Sequence, residues 1–210
     1  MSTGQRDLSA LSDAELLIMM RDGEQDEAAF VTLYRRQHDK VYRFSMQMSG
    51  SKFIAEDVTQ EVFLTLVREP TRYDPERGCL GAFLYGMARN YVLRRLGADR
   101  RFLAIDNQDG DGEMAQHMEQ ADPHSDAARA ETVESVRRAI LSLPEHYREA
   151  VVLCDLHEMT YEDASVILGC AVGTVRSRLH RARKILLDKL RPVMEAERQR
   201  GETKNAGCLV

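Results

Sequence analysis

The chain has 210 residues, 43% of them hydrophobic and 30% charged, which is enough apolar material for the cores of one or two soluble domains. No apolar run approaches membrane-spanning length, and residues 1–17 (MSTGQRDLSALSDAELL) lack a basic-then-apolar leader, so a cytoplasmic location is expected. A net charge of −5 excludes a protein that coats DNA by bulk attraction. The distribution is uneven, however: residues 102–134 hold nine acids against Arg129 alone, and basic clusters stand on either side.

Residues 1–26 read as a polar N-terminal tail with a short helix at 12–17, where Ser12 and Glu15 form a capping box. A helix is expected over 27–48, with Phe30, Leu33, Tyr34, Val41 and Phe44 along one side and Gly50 ending it. In the next helix, FIAEDVTQEVFLTLVRE, Ala55, Val58, Val62 and Leu66 form the inward stripe. Glu56, Asp57, Gln60 and Glu61 gather on its outer side, because residues three and four apart are neighbours on a helix. Acids near a helix start are also favoured by the helix dipole alone. Nothing in this helix suggests catalysis: it has no partner histidine and no metal-ligand spacing.

Pro70 closes that helix, and the loop TRYDPERGC carries Tyr73 between breakers. A further helix follows, LGAFLYGMARNYVLRRLGADRR, with core positions at Phe83, Leu84, Met87, Ala88 and Tyr91. Its basic end (Arg89, Asn90, Arg94, Arg95, Arg100, Arg101) lies close to aromatics. That mixture suits single-stranded DNA, with cations for phosphates and rings for bases; it equally suits a bundle helix with a solvated basic end. Residues 102–129, rich in Gly, Asp and Gln and without apolar periodicity, read as a flexible, self-repelling acidic linker.

Helical spacing resumes at about 130 with Val133, Val136, Ile140 and Leu143. Ser142, Pro144 and Glu145 predict a new helix start. Residues 160–191 then show a short helix capped by Thr160 and closed by Gly169, a turn, and a second helix with Thr174 as its expected cap. Val175, Leu179, Ala182 and Leu186 make its apolar stripe, and Arg176, Ser177, His180, Arg181 and Lys184 fall elsewhere. From 174 to 191 seven Lys/Arg face one acid, Asp188. A charge run alone fits a solvated helix, but cap, turn, stripe and arginine face together describe a helix-turn-helix. In that motif the second helix enters the major groove, where the planar fork of arginine binds guanine at two points. After Pro192 the tail 192–210 reads as frayed. No segment alternates as a strand does, so the chain is expected to be all-α, in two helical domains. The four scattered cysteines (Cys79, Cys154, Cys170, Cys208) form no CxxC and read as reduced thiols, with Cys79 the candidate redox sensor; no metal or cofactor is implied.

Four motifs, AEDVTQEVF (55–63), FLYGMARNYVLRRL (83–96), LSLPEHYREAVVL (141–153) and YEDASVILGCAVGTVRSRLHRARKIL (161–186), occur in one order and at separations that closely resemble the extracytoplasmic-function (group four) sigma factors of bacterial RNA polymerase. The resemblance spans most of the chain and implies a region 2 bundle over 27–101 and a region 4 helix-turn-helix over 130–191, joined by the 102–129 linker. It implies a promoter-specificity subunit and not an enzyme, with core polymerase (β′ clamp helices and β flap), promoter DNA and an anti-sigma factor as partners. Asp57, Gln60 and Glu61 would grip the clamp helices. Tyr73 and Asn90 would capture unstacked bases of the minus-ten element, with Arg94 and Arg95 on phosphates. Thr174, Arg176, Ser177, His180 and Arg181 would read the minus-thirty-five duplex, and the acidic linker would thread the RNA exit region. The chain departs from the family where Phe83 and Val67 replace usual tryptophans, and at Gly97-Ala98, where an early helix end is expected. A stand-alone helix-turn-helix regulator, or an adaptor that binds only proteins, would leave the Asp57 surface or the arginine face without a task.

Overall fold

In a computed structural model, residues 8–22, 26–106 and 127–206 are described. Most of the expected linker, Cys208 and both chain ends fall outside them. Every regular element among the described residues is helical: α1 (Asp13–Asp22), α2 (Asp26–Ser49), α3 (Lys52–Arg68), α4 (Leu80–Asp106), α5 (Ala127–Leu141), α6 (Glu145–Val151), α7 (Tyr161–Leu168) and α8 (Val172–Ala206). Short 3-10 turns precede α1 and link α3 to α4, and a π-helical turn, Val152–Leu156, extends α6.

The caps show why the chain breaks where it does. Ser12 accepts from the Glu15 amide while its own N–H donates to the Glu15 carboxylate at 2.7 Å. These bonds from Ser12 hold the Glu15 carboxyl below its usual range. Thr160 accepts from the Asp163 amide at 3.0 Å and its hydroxyl donates to the Asp163 carboxylate. Gly169 ends α7 in the left-handed region at φ 62°, a conformation that costs glycine nothing. Thr160→Ala should therefore destabilise the α7 start by about 1 kcal/mol, measurable as a lower denaturation midpoint.

Five boundary expectations need correction. The N-terminal segment is not a tail up to residue 26: Leu16 and Leu17 are buried in the core, and Arg36 of α2 donates to the carbonyls of Leu8, Ser9 and Leu11 and to Asp13. α4 does not stop at Gly97-Ala98 but continues to Asp106, since a single glycine costs a helix only about 1 kcal/mol against alanine. α8 starts at Val172, so Thr174 lies inside its first turn, donating its N–H to Ala171, and is not the cap. α8 also runs through Pro192, where a Pro gives up one helical hydrogen bond. At α6 the expected box does not form: Pro144 is the N-cap without a side-chain bond, and the Ser142 hydroxyl donates back to Ala139.

α1 to α4 form the first unit, around Leu33, Phe44, Val58, Val62, Leu84 and Val92. α5 to α8 form the second, in which Leu143, Val151, Leu179 and Ala182 seal α6 against α8. The two units share core: Ile140, Val152, Leu153, Ala164, Leu168 and Val175 of the second belong to the cluster built by the first.

Candidate nucleic-acid and partner interfaces

The helix-turn-helix follows directly from the apolar stripe. Val175, Leu179 and Ala182 are almost fully buried, so Arg176, Ser177, His180 and Arg181 stand exposed on the opposite side of α8. Thr174 is half-buried at the start of this face, and its carbonyl accepts the Ser177 hydroxyl at 2.9 Å. The Arg176 guanidinium lies 5.6 Å from the Tyr161 ring of α7, a cation–π contact that aims the side chain without consuming its donors. Arg183, two turns on from Arg176, is committed elsewhere: it binds Asp155 through two nitrogens at 3.1 and 2.6 Å, and this hydrogen bonding raises its pKa. Asp155 and Tyr161 are thus supports of the reading helix that sequence reasoning missed. The only sequence signal for them was their position just ahead of a basic helix.

In the first unit, Tyr73 is half-buried between the two 3-10 turns. Its hydroxyl donates to the Gly78 carbonyl at 3.0 Å, its ring lies 5.6 Å from Phe83, and burial pushes its pKa up. Phe83 therefore packs against the loop that carries Tyr73. Asn90 is exposed on α4, seven residues beyond Phe83 and so about 10 Å along the helix. The Cys79 thiol, exposed, accepts from the Ala82 amide at the start of α4.

Asp57, Gln60 and Glu61 do share one side of α3, but the two acids are not free. Asp57 binds Arg95 at 2.6 Å, and Glu61 binds Arg94 at 3.0 Å and Arg95 at 3.4 Å. Residues expected to serve two different partners therefore form a single network across α3 and α4. Arg94 also lies 4.9 Å over the Tyr91 ring, and the Tyr91 hydroxyl meets Thr65 at 2.8 Å. The Arg95 Nε is buried with no hydrogen-bond partner, while its Nη2 meets both carboxylates. Gln60 is exposed, and the same face of α3 continues into Phe53, Leu64 and Val67, with 78%, 42% and 48% of their surface accessible. Apolar groups of this size flanking a charged strip are characteristic of a protein-binding surface.

Among the described residues no cluster of His, Cys, Asp or Glu has the makeup of a metal site, and no helix is long and apolar enough to cross a membrane. The architecture is that of a helical DNA- and partner-binding protein. Residues 33–102 match the model of Sigma-70 region 2, and residues 134–186 match that of Sigma-70, region 4. The chain is 31% identical to the ECF RNA polymerase sigma-E factor of Haemophilus influenzae over 88% of this chain and 98% of that one. It is 35% identical to the ECF RNA polymerase sigma factor SigE of Mycolicibacterium smegmatis over 80% of this chain, spanning 65% of that relative's length. The fold is similar to that of the Bartonella quintana sigma factor RpoE, solved in complex with the anti-sigma factor NepR, with a TM-score of 0.63 at 24% identity over 77% of this chain and 96% of that one. The chain belongs to the ECF sigma factors of the sigma-70 family.

Proposed function

We propose that this chain is a group-four promoter-specificity subunit, working in the cytoplasm without catalytic chemistry of its own. It binds core RNA polymerase, directs it to promoters through a duplex-reading and a strand-capturing domain, and is held in reserve by an anti-sigma factor. The observation that carries this reading is the outward face of α8: three cationic or ionisable side chains and a serine exposed on one side of a helix whose other side is sealed in the core. Arg176 and Arg181 offer two-point contacts to base edges, Ser177 and His180 shorter ones, and Thr174 borders the set. On α4, Asn90 and the basic Arg94–Arg95 pair, with Tyr73 from the loop before, fit an extruded base and its phosphates. Extrusion costs a few kcal/mol, which stacking and edge hydrogen bonds offset. Asp57, Gln60 and Glu61, flanked by Leu64 and Val67, fit a basic helical clamp on the polymerase, and a second contact joins region 4 to the β flap.

Transcription with core polymerase from a supercoiled template that carries a promoter followed by a terminator tests the whole reading; no promoter-dependent transcript means it is wrong. Arg176→Ala should reduce discrimination for the upstream element by about 1–3 kcal/mol, read as the ratio of specific to non-specific binding at fixed salt. Asp57→Ala should weaken polymerase binding while leaving contacts of region 4 with duplex DNA intact, checked by competition for core against an unmodified reference subunit. Unchanged polymerase affinity would remove Asp57 from the clamp surface.

A further inference from the structure

Two arginines on one edge of α8 are held in opposite ways. Arg176 and Arg183 are seven residues apart, within about 20° of two full turns, and so stand about 10 Å apart along the same side. Tyr161, the first residue of α7, is half-buried against both cores and serves both of them. Its ring carries the Arg176 guanidinium at 5.6 Å, and its hydroxyl adds to the hydrogen bonding that Asp155 supplies to Arg183. A contact with a ring face leaves the N–H donors of Arg176 available, whereas two nitrogens of Arg183 are bound to one carboxylate. Both supports stand on closed backbone. The Thr160 side chain caps α7 immediately before Tyr161. Asp155 lies in the π-helical turn, where the His157 amide donates to the Val152 carbonyl, five residues back, at 3.1 Å.

The Asp155–Arg183 pair is at the surface, with 28% and 56% of the two side chains accessible, so it adds little to stability. Its larger effect is on the charge that α8 offers to a duplex. Released, Arg183 would put a further cation beside the phosphates that flank the groove, on the same edge as Arg176. Phosphate contacts raise affinity for every sequence equally and distinguish none. A guanidinium presented to a base edge in a fixed plane does the opposite. Arg176 has open donors and a ring to fix its plane, whereas Arg183 has its charge matched and its fork engaged.

We propose that Asp155 and Tyr161 together set the sequence discrimination of α8: the Tyr161 ring fixes Arg176 for a guanine edge, and the Asp155 carboxylate withholds Arg183 from the phosphates. Both are positioning residues that act through an arginine. The inference deepens the reading of α8 as a duplex reader and rests on it. The test uses the full-length chain and two probes: a pool of short duplexes randomised at their centre, selected for binding and sequenced, and one fixed duplex of alternating A·T pairs. From the pool, the unaltered chain should select a guanine at a base pair where Arg176→Ala loses the preference by about fivefold or more. Tyr161→Leu should lose it at that same pair and at no other, and Tyr161→Phe, which keeps the ring, should retain it. The double variant Y161L/R176A should discriminate no worse than Arg176→Ala. If Tyr161→Leu loses helix by circular dichroism, Tyr161→Met takes its place. On the fixed duplex, Asp155→Asn should bind more tightly, with a slope of log affinity against log salt steeper by about 0.9, the share of one phosphate contact. D155N/R183Q should return to the unaltered slope. A Tyr161→Leu loss spread evenly over all selected positions would reduce Tyr161 to packing and overturn its part. An unchanged slope in Asp155→Asn would overturn the withholding of Arg183. A pool from which the unaltered chain selects no sequence would overturn the duplex reading of α8 itself, and this inference with it.

Discussion

Phe44→Ala should cost about 3–5 kcal/mol of stability, the largest loss expected from any single truncation considered for this protein. Phe44 is fully buried on α2, and its ring centroid lies 5.1 Å from Tyr85 and 5.7 Å from His157. It therefore fills the first core and supports the seam to the second unit at the same point. Removing it deletes apolar area, leaves a cavity under two aromatic rings and loosens the Tyr85–His157 hydrogen bond. Chemical denaturation followed by circular dichroism measures the loss, and Phe44→Leu, which keeps more of the volume, should cost clearly less. A loss below about 1 kcal/mol for the alanine variant would mean that the neighbours collapse into the space and that the two cores are not coupled there.

Mild acid should weaken the association of the two units through His157. Burial, assisted by the nearby Arg43 cation, lowers its pKa from 6.5 to about 4. The folded protein thus holds the neutral ring, with Nε2–H donated to the Gln47 carbonyl and Nδ1 accepting from Tyr85. When the seam opens, the ring returns to water and binds a proton near pH 6.5. The open form therefore carries more protons between about pH 4 and 6.5, so stability rises with pH across that window. The contribution is fully present above pH 6.5, is lost as pH falls towards 4, and stays lost below it. With solvent screening allowed for, it amounts to about 2–3 kcal/mol. Denaturation midpoints measured from pH 7.5 to 4 should show this slope in the unaltered chain and a flatter one in His157→Gln. Equal slopes in the two would exclude His157 as the titrating group, leaving the carboxylates to account for acid sensitivity.

The Arg95 network bears on how sites of this kind are read from sequence. Asp57 and Glu61 were legible as one face of α3, and Arg94 and Arg95 as the basic end of α4, because each set obeys the 3.6-residue period of its own helix. Their mutual pairing was not legible, since Arg94 and Glu61 are 33 residues apart and meet only when α3 and α4 dock. An acidic surface that looks free in the sequence is already half neutralised in the fold. The same reasoning covers the boundaries. Gly97 and Pro192 are local helix breakers, yet α4 and α8 pass through both, because costs of about 1 and about 3 kcal/mol fall within what a long helix can absorb.

The sequence alone determined the all-helical class, the caps at Ser12 and Thr160, the left-handed stop at Gly169, and which side of α8 faces outward. Each of these depends on residues within a few positions of one another, where stereochemistry and periodicity act directly. Only the tertiary structure decided that Leu16 and Leu17 belong to a core, that Asp155 holds Arg183, that Arg95 bridges Asp57 and Glu61, and that Glu149 lies buried and His157 half-buried in a seam between the two units. A helix's own pattern shows that it has an apolar side, but not which partner that side will meet. Contacts between residues tens of positions apart are chosen by how whole helices fit together, a competition of buried areas and charge pairs that no short stretch of chain contains.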